Sequence, residues 1–207
     1  LVDLRDITEQ FGDNYYKNRH PKAPWLGKWF AKIKIRQRNK VLKQANAIST
    51  ISPWHQDFLR KWNKQVHLIY NGYDKQLFYP KTQNSTYFDI VYTGRIINTQ
   101  LRNPDLLFAA LQELIEQQQI CPCFVRMLWY TDKASQASIV DAVQKYPLLA
   151  TLMRFYDLIP AKDIPALLWS SSVVLVLSNK ATQEGPKGIM TTKFFEAVGV
   201  EKPVLCV

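Results

Sequence analysis

KGIMTTKFFEAVGVEKPVL, residues Lys187 to Leu205, is the stretch on which the reading of this chain turns. Its periodicity predicts a short amphipathic helix from Thr191 to Val198 that opens on two hydroxyls and a cation. The helix closes on Gly199 and leads into an apolar strand from Pro203 to Val207. A helix start offers unpaired backbone N–H groups and the positive end of the helix dipole, a favourable place for a phosphate. Lys193 in the first turn and Glu196 three residues later project from one face, a cation for an anionic group and an acceptor for hydroxyls. Together Thr191, Thr192, Lys193 and Glu196 suit a sugar nucleotide, with its charge on the diphosphate and its diol on the ribose. The same spacing also fits an ordinary helix packed on a sheet, with Lys193 and Glu196 as a surface ion pair.

The glycine turn YTGR, Tyr92 to Arg95, weighs toward the first reading. Gly94 follows a strand directly and lets the backbone come close to a ligand, while Arg95 and Arg102 can fork onto phosphate oxygens. Between this turn and the quoted stretch, strands alternate with helices. Strands are expected at 88–93, 124–130, 152–156, 173–177 and 203–207, with helices at 104–118, 134–145, 161–169 and 191–198. That alternation, with apolar runs such as VVLVL at Val173 to Leu177, predicts an α/β fold with a doubly wound parallel sheet. Ligands of such sheets bind at the carboxyl ends of the strands, so the loops after Thr93, Tyr130, Tyr156 and Leu177 are expected to line one crevice.

Upstream the same pattern runs through residues 1–74: strand 1–5, helix 28–45, strand 47–52, a helix with Ser52 as N-cap and Pro53 at its first position, and strand 66–70. The polar stretch 75–86 reads as a linker, which makes 1–74 the end of a first domain and 87–207 a second. Phe11 to Trp25, rich in aromatics, Asn, Pro and Lys, reads as a surface loop and a candidate lid. The chain opens without Met on LVDLRD and stops inside an apolar strand, which suggests a portion of something longer.

Composition excludes several classes. With 207 residues, 47% hydrophobic and 21% charged, this is an ordinary globular composition. No run reaches the roughly 20 apolar residues of a membrane span, and no signal peptide precedes the first strand. Cys121, Cys123 and Cys206 lack metal-ligand spacing and read as reduced thiols of a cytoplasmic protein. No paired acids for a divalent ion surround the crevice, so no metal and no separate cofactor is expected.

The net charge of +10 belongs wholly to the first 85 residues, which hold 16 Lys or Arg against 6 Asp or Glu. Residues 86–207 hold 11 of each. The centre of this excess is the helix candidate Lys28 to Ala45, with Trp29, Ile33, Ile35, Val41 and Leu42 as its apolar positions and cations from Lys28 to Lys43 over the rest. Nucleic acid, an anionic membrane surface, an anionic substrate or plain solvent all fit such a face. Among these, peripheral contact of a cytoplasmic protein with the inner face of the membrane is the expectation carried forward.

In order, VDLRD, ISPWHQDFL, VHLIYNGYD, IVYTGRI and TTKFFEAVGVEKPVL resemble the retaining glycosyltransferases of the two-domain GT-B fold, specifically the large bacterial family 4 that uses nucleotide sugars. The resemblance implies an acceptor-side domain ending near residue 74 and a donor-side domain from about 87, both Rossmann-like. It implies transfer with retention to a glycan or lipid-linked acceptor in surface-polysaccharide assembly. The roles it assigns are the donor diphosphate for Gly94 and Arg95 and the donor ribose for Glu196. Arg95 and Lys193 become the catalytic cations, with Arg102 as the nearest substitute for the family's further lysine. Where the family often has two Glu separated by seven residues, this chain has Gly188, and Glu184 falls four residues early. The family's glycine loop and histidine segment lie upstream of Leu1, so this portion is not expected to turn over alone. Two other readings fit less: a non-catalytic nucleotide-binding or scaffold relative of the same fold, and a basic nucleic-acid-binding module, whose recognition motifs are missing.

Overall fold

The computed structural model describes residues 1–11, 24–83, 85–96, 102–179, 188 and 191–207. The chain forms two compact units, one of Leu1–Asn71 with Asn179–Met190, the other of Gly72–Ser178 with Thr191–Val207.

In the first unit β1 (Val2–Asp3), β2 (Ile48–Thr50) and β3 (Val66–Leu68) form a parallel sheet in that order. Helix α1 (Pro24–Gln44) connects β1 to β2, and α2 (Pro53–Leu59) connects β2 to β3. Ile7, Leu42, Ile48, Leu59 and Val66 form the core. Helix α2 starts as expected: Ser52 Oγ accepts the His55 N–H at 3.2 Å, and Pro53 occupies a position whose N–H has no helical partner.

Helix α1 differs from its expected form. It begins four residues before Lys28, so Trp25 is helical; residues 12–23 of the expected lid lie outside the described residues. Its buried stripe is Gly27, Ala31, Asn39 and Leu42, while Trp29 and Val41, expected in the apolar face, are exposed. The small residues Gly27 and Ala31 take inward positions on this helix, and the tryptophans lie outside that stripe.

In the second unit β4 (Phe88–Thr93), β5 (Val125–Tyr130), β6 (Met153–Tyr156), β7 (Val173–Val176) and β8 (Val204–Cys206) form a parallel sheet of order β6-β5-β4-β7-β8. The helices are α3 (Asp105–Glu116), α4 (Lys133–Val143), α5 (Ile164–Ser170) and α6 (Thr192–Gly199). Alternation along the strands splits the core between the two faces. Tyr92, Met127 and Trp129 pack with Phe108 and Ile139 on one side, while Val91, Leu128 and Val174 pack with Leu168 and Ala197 on the other.

Residues 75–86, read as a linker, lie within this second unit. Phe78 is buried with Val91 and Leu168, and Trp169 Nε1 donates to the Tyr79 carbonyl at 2.7 Å. Phe78 supplies apolar area that the surrounding polar residues conceal in the sequence. Cys121 and Cys123, expected as thiols, form a disulfide. A 3-10 turn over Pro122–Phe124 brings their Cα atoms to 5.4 Å, inside the range a bridge requires. Cys206 is free and exposed.

Candidate functional site

The strand order of the second sheet reverses direction at β4: β5 and β6 lie on one side of it, β7 and β8 on the other. Loops leaving the carboxyl ends of neighbouring strands diverge at such a point and leave a crevice. A pocket of about 120 Å³ lies there, lined by Thr93, Gly94, Tyr130, Lys193 and Glu196 with an apolar wall from Leu158, Ile159 and Ile164. That volume is below the roughly 300 Å³ of a site enclosing a whole drug-sized ligand, so it receives one group of a larger molecule. A larger cavity of about 470 Å³, between Lys81, Ser172 and Lys202, opens at the amino ends of β7 and β8, away from the switch point.

The glycine turn is built rigidly. The Gly94 N–H extends the β4–β5 ladder by donating to the Tyr130 carbonyl at 2.9 Å, and the next step of the chain takes φ to +106°. Only glycine adopts that angle without strain. The Tyr92 hydroxyl and Arg102 Nη1 both donate to the Arg95 carbonyl at 3.1 Å, and Ser135 Oγ accepts the Ile96 N–H at 2.9 Å. Burial raises the Tyr92 pKa, opposed by Arg102, so its hydroxyl stays a donor.

Lys193 stretches over Gly94: a Cβ there would fall 2.5 Å from Lys193 Cε and 2.7 Å from Nζ. Burial lowers the Lys193 pKa, and the charge of Arg102 lowers it further, against the opposite pull of Glu196. Burial raises the Glu196 pKa, against Lys193. Each charge is thus poorly solvated, and an anion meeting Lys193 would relieve its strain. Thr191 is the N-cap of α6 in an extended conformation, and its side chain makes no capping bond. Thr192 begins the helix at the pocket edge.

Of the residues singled out in the sequence, Gly94, Thr192, Lys193 and Glu196 come together in the pocket. Thr191 adjoins it through the chain. Arg102 stands behind it, holding the turn by the Arg95 carbonyl. Arg95 is not in the lining: its exposed guanidinium pairs with Asp132 at 3.0 Å. Gly188 lies in the first unit at φ +65°, where a Cβ would come within 2.6 Å of Ser52 Oγ and 3.1 Å of the Trp54 ring. No side chain fits there, which is a local reason for glycine at that position. Glu184 lies outside the described residues.

Sequence reasoning pointed to the loops after Tyr130 and Tyr156 but named no residue in them. Leu158 and Ile159 come from the loop after Tyr156 and Ile164 from the start of α5, while Tyr130, whose ring stacks on Tyr156 at 4.6 Å, ends β5. The signal was available, since both tyrosines end a strand at the crevice.

Solved structures share this architecture. A glycosyltransferase from Rickettsia africae ESF-5 superposes with a TM-score of 0.61 at 13% identity, over 98% of this chain and 49% of that one. Sucrose-phosphate synthase from Thermosynechococcus elongatus gives 0.59 at 21%, over 84% and 44%. Anabaena HepE in complex with UDP-glucose gives 0.59 at 16%, over 86% and 50%. The fold is that of the GT-B glycosyltransferases. The chain spans about half the length of these structures, or less. No family model and no curated protein matches it in sequence.

Proposed function

We propose that this chain is the donor-binding portion, with part of the acceptor-side domain, of a retaining nucleotide-sugar-dependent glycosyltransferase of family 4. Its acceptor is a glycan or lipid-linked molecule of surface-polysaccharide assembly, and its place is the cytoplasm. The observation that carries the reading is the pair of strained charges, Lys193 and Glu196, set across the side-chain-free Gly94 at the sheet's switch point. HepE, of the same fold, was solved with UDP-glucose.

In this reading the diphosphate lies against Gly94 and the start of α6, with Lys193 as its counter-charge, and Glu196 accepts from the ribose diol. When the bond from the anomeric carbon to the diphosphate breaks, negative charge grows on the leaving oxygen. Lys193 stabilises it in place, with Arg102 supporting through its field and Arg95 as a further cation once released from Asp132. The acceptor hydroxyl enters on the same face of the sugar and gives its proton to the leaving phosphate. Leu158, Ile159 and Ile164 keep water from this side of the pocket, which strengthens each of these electrostatic contacts.

Calorimetry with UDP and GDP tests the donor site, with Glu196→Gln as the variant. Binding is expected for one of them, weakened by roughly 1 to 3 kcal/mol in the variant, as for a hydrogen bond to a charged group. If no nucleoside diphosphate at millimolar level binds or raises the melting temperature, the donor-site reading fails. Unchanged affinity in the variant would return Glu196 to a surface-helix role.

A further inference from the structure

Helix α1 has 21 residues, seven of them Lys or Arg and none of them Asp or Glu. Arg38 is committed inward: Nη1 and Nη2 donate to the two Glu9 carboxylate oxygens at 2.6 and 2.7 Å. Among the described residues that is the ion pair this helix makes. One face beside its buried stripe follows spacings of three and four: Trp25, Trp29, Lys32, Arg36, Lys40 and Lys43, all exposed. Trp25 is 69% exposed and Trp29 is 55%, with Phe30, at 50%, packed edge-on to Trp29 at 5.1 Å. Large aromatics left in water at one end of a helix, followed along the same face by four cations, form two adjoining surfaces of different chemistry.

We propose that this face of α1 docks on an anionic lipid bilayer, with Trp25 and Trp29 entering the headgroup region and Lys32, Arg36, Lys40 and Lys43 meeting lipid phosphates. The charge is complementary and uniform, and Trp at the interface with long cationic side chains reaching to the headgroups is the arrangement a bilayer surface favours. The helix is roughly 31 Å long, enough to cross a bilayer, yet its seven cations keep it from doing so, and no helix of the described residues qualifies as a span. It therefore lies on the surface. A duplex or acidic protein would answer the cations but gives no reason for two exposed tryptophans beside them. The inference stands apart from the donor-site reading, because α1 contributes nothing to the pocket at Gly94.

The test is co-sedimentation of the chain with vesicles of phosphatidylglycerol mixed with phosphatidylcholine, and of phosphatidylcholine alone, at low and high salt. Three proteins are compared: native, Lys32, Arg36, Lys40 and Lys43 all changed to Gln, and Trp25→Ser with Trp29→Ser. All six positions are exposed, and circular dichroism confirms that each variant folds. Anionic vesicles are expected to bind the native chain and neutral ones not. The Gln variant is expected to lose at least about tenfold in affinity, given what each basic residue contributes near such a surface. The Ser variant is expected to keep only binding that salt abolishes, since its electrostatic part alone is screened. Equal binding to both vesicle types, or undiminished binding in either variant, overturns the proposal. So does a single-stranded oligonucleotide that binds the native chain as tightly as the anionic vesicles and displaces them. UDP binding, measured on the same three proteins, is expected to be unchanged.

Discussion

Lys193 occupies the space that a side chain at Gly94 would fill, its Cε 2.5 Å and its Nζ 2.7 Å from where a Cβ would stand. The glycine is therefore required twice, by the lysine and by a φ of +106°. Gly94→Ala is expected to push the Lys193 ammonium out of its place and to weaken nucleoside diphosphate binding about tenfold or more, the scale of one charged hydrogen bond. Strain at the positive φ is expected to cost stability by about 1 to 2 kcal/mol. Calorimetry and thermal melts on the same preparation separate the two effects. Affinity equal to that of the native chain would mean the ligand does not approach the turn.

Two opposite pKa shifts in one pocket predict a bell-shaped pH dependence. Glu196 is raised above 4.5 by burial, so on acidification it takes up a proton early and, in the proposed donor site, would cease to accept from both ribose hydroxyls. Lys193 is lowered below 10.5 by burial and by Arg102, so on alkalinisation it loses its charge early and a diphosphate in the proposed site would lose its counter-ion. Affinity for UDP-glucose, whose diphosphate keeps its charge throughout, is expected to fall at both ends, inside the limits of unperturbed side chains. Glu196→Gln removes the acid limb and Lys193→Met the alkaline one. Losses at both ends that set in no earlier than for ordinary Glu and Lys side chains would count against this pair as the ligand contact.

At the other end of the same strand, Asp89 tests stability without touching the pocket. Its buried carboxylate accepts from Arg126 Nε at 2.7 Å, Arg126 Nη2 at 2.8 Å and Ser85 Oγ at 2.8 Å. Asp89→Ala leaves the guanidinium without its partner, although Arg126 is exposed enough to recover some water. The expected loss is about 2 to 3 kcal/mol. For a chain of this size that lowers the melting temperature by roughly 5 to 10 °C. Nucleotide affinity measured below the transition is expected to be unchanged.

The fold was legible because its signals are local and repeated: alternating apolar runs for β4, β5 and β7, a Ser-Pro start for α2, a glycine after β4. Boundaries of these elements moved by only a few residues. What stayed hidden depended on packing between distant parts of the chain. Trp29 and Val41 look like core residues until Gly27 and Ala31 are seen to take the inner face of α1. Phe78 lies among polar neighbours that conceal its burial. In the site, Lys193 and Glu196 were legible because helix spacing alone puts them on one face. The partner of Arg95 was not, since Asp132 reaches it only through the parallel pairing of β4 with β5.

That partner supplies the remaining prediction. Asp132 does two things: Oδ1 accepts the Ser135 N–H at 2.9 Å as the N-cap of α4, and Oδ2 holds Arg95 Nε at 3.0 Å. Its pKa is lowered by the bonds to Ser135 and by the charge of Arg95. Asparagine caps a helix as well as aspartate does, so Asp132→Asn keeps the cap and removes the charge that competes for Arg95. If Arg95 turns to the donor diphosphate during binding, that pair must open first, and the variant binds UDP a few-fold more tightly than the native chain. Arg95→Gln is then expected to weaken UDP binding and to erase the gain when the two changes are combined. Melting temperatures of Asp132→Asn and the native chain are expected to agree closely, because an exposed pair contributes little. Unchanged affinity in both single variants would confine Arg95 to tying the loop after β4 to the start of α4, and would leave Lys193 as the cation that meets the diphosphate.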